Sequence, residues 1–229
     1  MTARDPNRLI IAVPKGRLLD ELIPMLDQAG IKPEAAFRHG QSRKLCFATE
    51  DSGVELVQVR SFDVATLVAF GAAQIGIAGL DVIAEHEYPE IFSPVDLKIG
   101  KCRLSLARLE STTIPVEHLA GRGEVHIATK YPNTTRRYFH ARGIQLRCVK
   151  LHGALELAPL LGLCDLIVDL VSTGATLRAN KLIEVQVIAH SSARLIVNRN
   201  AARAQPDLIN GWIERFCNLA QIGEHYIRA

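Results

Sequence analysis

The chain has 229 residues, 27 Lys and Arg against 24 Asp and Glu, and a formal net charge of only +3. With 48% hydrophobic and 22% charged residues it has room for one large or two small α/β domains, and extensive disorder is excluded. Charges are interspersed and aromatic residues make up 5%, which excludes a nucleic-acid platform built from basic stripes and stacking rings.

In chain order, Arg8–Val13 reads as a strand closed by Pro14-Lys15-Gly16. A helix follows, with Leu18, Leu19, Leu22, Ile23, Met25 and Leu26 apolar, and ends at Gly30. Lys44–Thr49 and Val54–Val59 flank Asp51-Ser52-Gly53 and predict a hairpin. Ser61 is expected to cap a helix carrying Val64, Leu67 and Val68, and Gln74–Ala78 reads as a buried strand before a short helix over Leu80–His86. Strands are expected at Leu97–Ile99 and Arg103–Arg108, then a polar linker at Leu109–Val116. A second α/β set follows: strand Val125–Ala128, helix Thr134–Arg142, strand Gln145–Val149, an apolar helix near Leu155–Leu161 and strand Asp165–Val168. Gly174–Asn180 begins as a loop and becomes a helix, Val185–Ala189 and Ala193–Val197 are strands, and Pro206–Ile222 is a long amphipathic helix.

This alternation predicts mostly parallel sheets with helices on both faces. Two lobes are expected, residues 1–100 with 184–229 and an inserted lobe of 101–183, with a ligand cleft between them. The start of the chain offers an apolar run of only Leu9–Val13, which is not a signal peptide, and no run approaches the roughly 18 residues of a membrane span. Cys46, Cys102, Cys148, Cys164 and Cys217 never pair as CxxC, and the eight histidines form no HExxH. They read as free thiols in a reducing cytoplasm, with no protein-held metal.

The residues that could carry chemistry gather at strand ends. The run from Glu156 to Asn180 leads a buried strand into Asp169, then a Ser172-Thr173-Gly174-Ala175-Thr176 turn and a helix. Backbone N–H groups and hydroxyls converge there with the positive end of a helix, which suits a phosphomonoester, and Asp169 suits the hydroxyls of an adjoining sugar. The plainer alternative is a helix cap with Asp169 as a turn residue. Pro14-Lys15-Gly16-Arg17-Leu18 puts two cations at a helix start, where cations are disfavoured unless an anion joins them. Ser42-Arg43-Lys44 and Arg60, after the alternating run Val54–Val59, add further cations. No Ser-His-Asp, Cys-His or paired-carboxylate set stands out. Clamped polyanions and a departing pyrophosphate fit this pattern better than a protein nucleophile does.

The pattern ExAPxxGxxDxIVDxVxTGxTLxxNxL over Glu156–Leu182 resembles ATP phosphoribosyltransferase. PKGRL at 14–18, Arg60/Asp63, Gly76/Gly79/Asp81 and ATKYPN at 128–133 carry the same resemblance. It implies a two-lobed, periplasmic-binding-protein-like (type II) α/β fold with mixed, mostly parallel sheets. The implied reaction condenses ATP with 5-phosphoribosyl-1-pyrophosphate (PRPP) to N1-(5-phosphoribosyl)-ATP and pyrophosphate, the first step of histidine biosynthesis. By the same resemblance, Glu156, Asp169, Ser172, Thr173, Gly174, Ala175 and Thr176 hold PRPP. Lys15, Gly16, Arg17, Leu18, Arg43, Arg60, Gly79, Asp81 and Tyr131 hold ATP, with Arg60, Arg43 and Lys15 as catalytic groups. Mg²⁺ is expected to arrive with PRPP. A chain that stops after one amphipathic helix resembles the short form, which implies a homodimer of the catalytic chain and a histidyl-tRNA-synthetase-like regulatory subunit in a hetero-octamer. Two rivals are a two-lobed anion receptor and a phosphoribosyltransferase for another base.

Overall fold

Leu9–Pro14 forms β1, buried along its whole length, because its odd and even residues feed two different cores. The computed structural model describes residues 8–38, 43–112 and 123–227, with side chains described as far as 221. The chain divides into two units, Met1–Gly100 with Ser192–Ala229, and Lys101–Ser191.

In the first unit β1 leads to α1 (Arg17–Gln28), α2 (Ala35–Arg38), β2 (Cys46–Ala48), β3 (Val54–Val59), α3 (Ser61–Ala69), β4 (Ile75–Gly79), α4 (Leu80–His86) and β5 (Ile91–Asp96). The second unit holds β6 (Cys102–Leu109), β7 (Val125–Thr129), α5 (Pro132–His140), β8 (Leu146–Lys150), α6 (Leu157–Leu160), β9 (Leu166–Val171), α7 (Ala175–Ala179) and β10 (Leu182–Ser191). The chain then returns to the first unit as β11 (Ala193–Asn198), α8 (Arg199–Ala204) and α9 (Pro206–Ile227).

The first sheet has the order β2-β3-β1-β4-β11-β5. Side chains alternate across a strand, so Leu9, Ile11 and Val13 face Leu22, Leu26, Trp212 and Phe216, while Ile10 and Ala12 face Val64, Val68 and Val82. On the second face α3 lies close to β4. A Cβ added at Gly76 would stand 2.7 Å from Val68 Cγ2 and 2.9 Å from Val64 Cγ1, closer than real Cβ contacts come. Gly76→Ala is therefore expected to destabilise the fold by about 1–3 kcal/mol, the usual cost of overpacking. Urea melts of the two proteins check this, and coincident curves would show that α3 retreats freely.

The second sheet has the order β10-β6-β9-β7-β8. Ala107, Ala128, Leu155, Ala158, Ile167, Val171, Leu177 and Leu182 form one core, which ties the segment before α6 to the end of β9 and to α7.

Both sheets are mixed, but less parallel than expected. Parallel pairing is confined to β3-β1-β4 and β9-β7-β8, and β2, β5, β6, β10 and β11 pair only antiparallel. Several local expectations are corrected too. The strand expected at Leu97–Ile99 is instead β5, Ile91–Asp96, whose Pro94 is tolerated because β5 is an edge strand. Ser61 is the first helical residue and not a cap. Arg60 occupies the cap position and makes no side-chain capping bond. Leu109 ends β6 and Glu110–Thr112 lie in the second unit, so the first crossing falls at Gly100–Lys101, while Thr113–Val116 lie outside the described residues. The return crossing is at Ser191–Ser192 and not at 183–184. β10 runs on to Ser191 because it pairs along β6 from Leu182 opposite Leu109 to Ser191 opposite Cys102.

Candidate active site

Parallel strands end together, and that brings the cations of the first unit to one edge. Pro14 of β1 is paired with Val59 of β3, and the Lys15 N–H donates to the Val59 carbonyl at 2.8 Å. Lys15 and Arg60 thus leave neighbouring strands side by side, both exposed. Ala12 is paired with Gly76, so β4 carries Gly79 to the same edge. The Gln58 N–H donates to the Leu45 carbonyl at 2.8 Å, which extends the β2–β3 contact towards exposed Arg43; Ser42 lies outside the described residues. Ligands of open α/β sheets bind beyond such carboxyl edges.

Gly16 begins α1 at φ +87°, a conformation that costs any other residue a Cβ clash. Arg17 is exposed and lies 3.9 Å from Glu21, a loose pair that leaves its guanidinium free to be recruited. Leu18 is half-buried against the first core. Asp81, in the first turn of α4, folds its carboxylate over the spot where a Cβ on Gly79 would stand, so any larger residue at 79 would have to turn that carboxylate away. Among the described residues Arg60 forms no ion pair with Asp63; its carbonyl instead accepts the Asp63 N–H at 2.9 Å.

In the second unit Thr129 of β7 is paired with Val168 of β9, and its hydroxyl donates to the Val168 carbonyl at 2.8 Å. The same oxygen accepts the Tyr131 N–H at 2.9 Å. Tyr131 is only 3% exposed and offers a ligand little surface. β9 continues through half-buried Asp169, whose Oδ1 accepts the Leu170 N–H at 2.8 Å, to exposed Ser172 and Thr173. Gly174 takes φ +73°, and Ala175 and Thr176 open the five-residue α7. The Thr173 hydroxyl accepts the Ala175 N–H at 3.3 Å, but Gly174 occupies the cap position of α7, so neither Ser172 nor Thr173 is the helix cap. Half-buried Glu156 precedes α6 and makes no capping bond. Its neighbour Leu155 shares a core with Val171 and Leu177, which brings Glu156 to the same side of the unit as the loop.

Sequence reasoning missed a group beside this loop. Arg103 on β6 donates from Nε and Nη2 to the two carboxylate oxygens of Glu184 on β10, each at 2.5 Å, and the Ser105 hydroxyl joins Glu184 at 2.7 Å. The residues are about 80 positions apart in sequence and belong to no local motif. Hydrogen bonding from Arg103 holds the Glu184 carboxyl below its ordinary value, outweighing the opposing effect of burial. A depressed folded-state value stabilises the fold above the unfolded value of 4.5, and that contribution is lost as pH falls through the lower folded value. Glu184→Gln is expected to lower stability at neutral pH and to flatten its decline below 4.5, as read by urea melts across the acid range. An unchanged acid limb would show that the pair contributes nothing.

The family model of ATP phosphoribosyltransferase matches residues 60–218. An ATP phosphoribosyltransferase of Paramagnetospirillum magneticum is 55% identical over 210 residues, covering 92% of this chain and 95% of that protein. The chain belongs to the ATP phosphoribosyltransferase family.

Among solved structures, an ATP phosphoribosyl transferase (HisG:HisZ) complex from Thermotoga maritima matches with TM-score 0.77 and 32% identity, over 93% of this chain and 98% of that one. The periplasmic aliphatic sulphonate binding protein SsuA from Escherichia coli matches with TM-score 0.58 at 13% identity, over 98% of this chain and 76% of that one, and shows the fold alone. The fold is thus the periplasmic-binding-protein-like type that the resemblance implied. In this chain the long motif from Glu156 to Leu182 spans α6, β9, α7 and the first residue of β10. Its apolar positions Ala158, Ile167, Leu177 and Leu182 are the core that binds those elements together, so much of the motif specifies packing.

Proposed function

We propose that the loop Ser172–Thr176 holds the 5-phosphate of PRPP, with Asp169 on the ribose hydroxyls and Glu156 beside them. The observation that carries this reading is one continuous run in which β9 delivers Asp169, two exposed hydroxyl residues and a positive-φ glycine before α7. The enzyme joins ATP to PRPP, giving N1-(5-phosphoribosyl)-ATP and pyrophosphate, the first step of histidine biosynthesis. Adenine N1 attacks the anomeric carbon as pyrophosphate departs through a cationic, oxocarbenium-like transition state. Lys15, Arg17, Arg43 and Arg60 hold the triphosphate and take up the charge that grows on the departing oxygens. Gly16, Leu18, Gly79 and Asp81 frame the same edge of the first unit, with Gly16 and Gly79 allowing close backbone approach, while Tyr131 belongs to the second unit and is 3% exposed.

Mg²⁺ supplies charge neutralisation on the diphosphate. Among the described residues the carboxylates on this side of the unit are Asp169, Glu156 and Glu184, and Glu184 is already held by Arg103 and Ser105. That donor set fits an ion held chiefly by phosphate and water. The Thermotoga maritima relative was solved as a HisG:HisZ complex, which supports a regulatory subunit resembling histidyl-tRNA synthetase, joined with catalytic homodimers in a hetero-octamer. Five free thiols support a reducing, cytoplasmic setting. No helix among the described residues is long and apolar enough to cross a membrane.

Release of pyrophosphate from a mixture of ATP and PRPP, compared with ATP alone and with PRPP alone, tests the reading. PRPP-dependent release is expected. Binding of either compound without release would instead make the chain a two-lobed receptor, and turnover with another base in place of ATP would reassign the acceptor.

A further inference from the structure

Two guanidinium groups grip the backbone of the phosphate loop. Arg103 uses Nε and Nη2 on Glu184 and donates from Nη1 to the Ser172 carbonyl at 3.0 Å. Arg178, on α7, donates from Nη1 to the next carbonyl, that of Thr173, at 3.1 Å. A pocket of about 280 Å³ beside the loop is lined by Arg103, Arg178, Glu184 and Gly174 together with Leu177 and Leu182.

A trans peptide unit points its C=O and its N–H in opposite directions. The Ser172 carbonyl shares a plane with the Thr173 N–H, and the Thr173 carbonyl shares one with the Gly174 N–H. Holding both carbonyls on guanidinium donors therefore turns both N–H groups away from the arginines. A guanidinium has five N–H donors in a rigid fork, so Arg103 can stay bidentate on Glu184 and keep a donor for the loop. Glu184 and Ser105 fix the fork, the fork fixes the Ser172 peptide, and Arg178 fixes the next one.

We propose that Arg103 and Arg178 are positioning residues for PRPP, clamping two successive carbonyls so that the Thr173 and Gly174 N–H groups are preset to meet its 5-phosphate. This rests on the reading that the loop holds that phosphate. Neither arginine touches the phosphate. Each acts through a peptide plane, by removing a rotation that the loop would otherwise lose on binding.

The test is calorimetric titration of the full chain with PRPP and, separately, with ATP. Arg103→Lys keeps a cation beside Glu184 but cannot hold the carboxylate with two donors and the carbonyl with a third. Arg178→Met removes the donor, and Arg178→Gln restores a neutral N–H donor without charge. Arg103→Lys and Arg178→Met are expected to weaken PRPP about tenfold with ATP affinity unchanged, and Arg178→Gln to recover most of the loss. Unchanged PRPP affinity in folded Arg103→Lys and Arg178→Met overturns the clamp. Failure of Arg178→Gln to recover also overturns it, since that result assigns Arg178 a direct charge contact. Should Arg103→Lys not fold, the two Arg178 variants on the exposed helix decide alone. Thr176→Val, run in parallel, separates the two readings. If Thr176→Val weakens PRPP and the arginine variants do not, the loop stands and the clamp falls. If Thr176→Val has no effect either, the loop assignment itself falls.

Discussion

Arg60→Ala is expected to lower kcat by about 10²-fold or more, with a smaller change in KM for either substrate. Arg60 leaves β3 beside Lys15, is exposed, and forms no ion pair with Asp63 among the described residues. Among the described residues no ion pair accounts for a guanidinium at this edge. Its backbone does have a structural duty, because the carbonyl accepts the Asp63 N–H at 2.9 Å and the Val64 N–H at 3.3 Å at the start of α3. Alanine keeps that carbonyl, so α3 should start normally and the melting temperature should barely move. A guanidinium can hold two oxygens of departing pyrophosphate in parallel, and that interaction strengthens as negative charge develops. Arg60→Lys should recover only part of the loss, since an ammonium lacks the fork. Turnover and thermal stability measured on one preparation separate the roles. A destabilised but fully active variant would refute the catalytic one.

Replacing Thr176 with Val should weaken PRPP by about 1–3 kcal/mol, the scale of a hydrogen bond to a charged group, or about 5- to 150-fold in affinity. Thr176 is exposed in the first turn of α7, and its carbonyl accepts the Asn180 side-chain N–H at 2.9 Å, which valine leaves in place. Thr173→Val should lose at least as much. Its hydroxyl also accepts the Ala175 N–H at 3.3 Å, so that variant removes an internal bond along with the ligand contact. Thr176 is the cleaner probe for this reason. ATP affinity should hold in both variants, and an equal loss for both substrates by calorimetry would count against a phosphate site in this loop.

Local patterns make much of this protein legible in its sequence. The 3.6-residue spacing of Leu18, Leu19, Leu22 and Leu26 announced α1, and the alternation in Val54–Val59 announced β3 with the buried-intermediate repeat it shows. The hairpin around Asp51-Ser52-Gly53 is present, with the Gly53 N–H donating to Asp51 Oδ1 at 2.9 Å. Gly174 stood out as a turn glycine and takes φ +73°. Signals of this kind lie within a few residues of one another, where sterics and side-chain alternation act directly.

Other features were out of reach because distant segments create them. β5 was hidden by Pro94, which only its position at a sheet edge makes acceptable. The antiparallel seams came from which strands pair, and an isolated strand does not encode its neighbour. Ser61 looked like a cap, yet the bend of the chain out of β3 puts Arg60 at that position. Lys15 and Arg60 were separate hints in the sequence, and the Pro14–Val59 register makes them neighbours. Arg103 and Glu184 carried no hint at all. By itself the sequence determined the α/β alternation, the motif of the family and the residues offered at each strand end. The tertiary structure alone decided which strand ends stand side by side, and which charges meet across β6 and β10. Pairing over such separations follows from strand register and burial, and neither exists until the chain has closed its sheets.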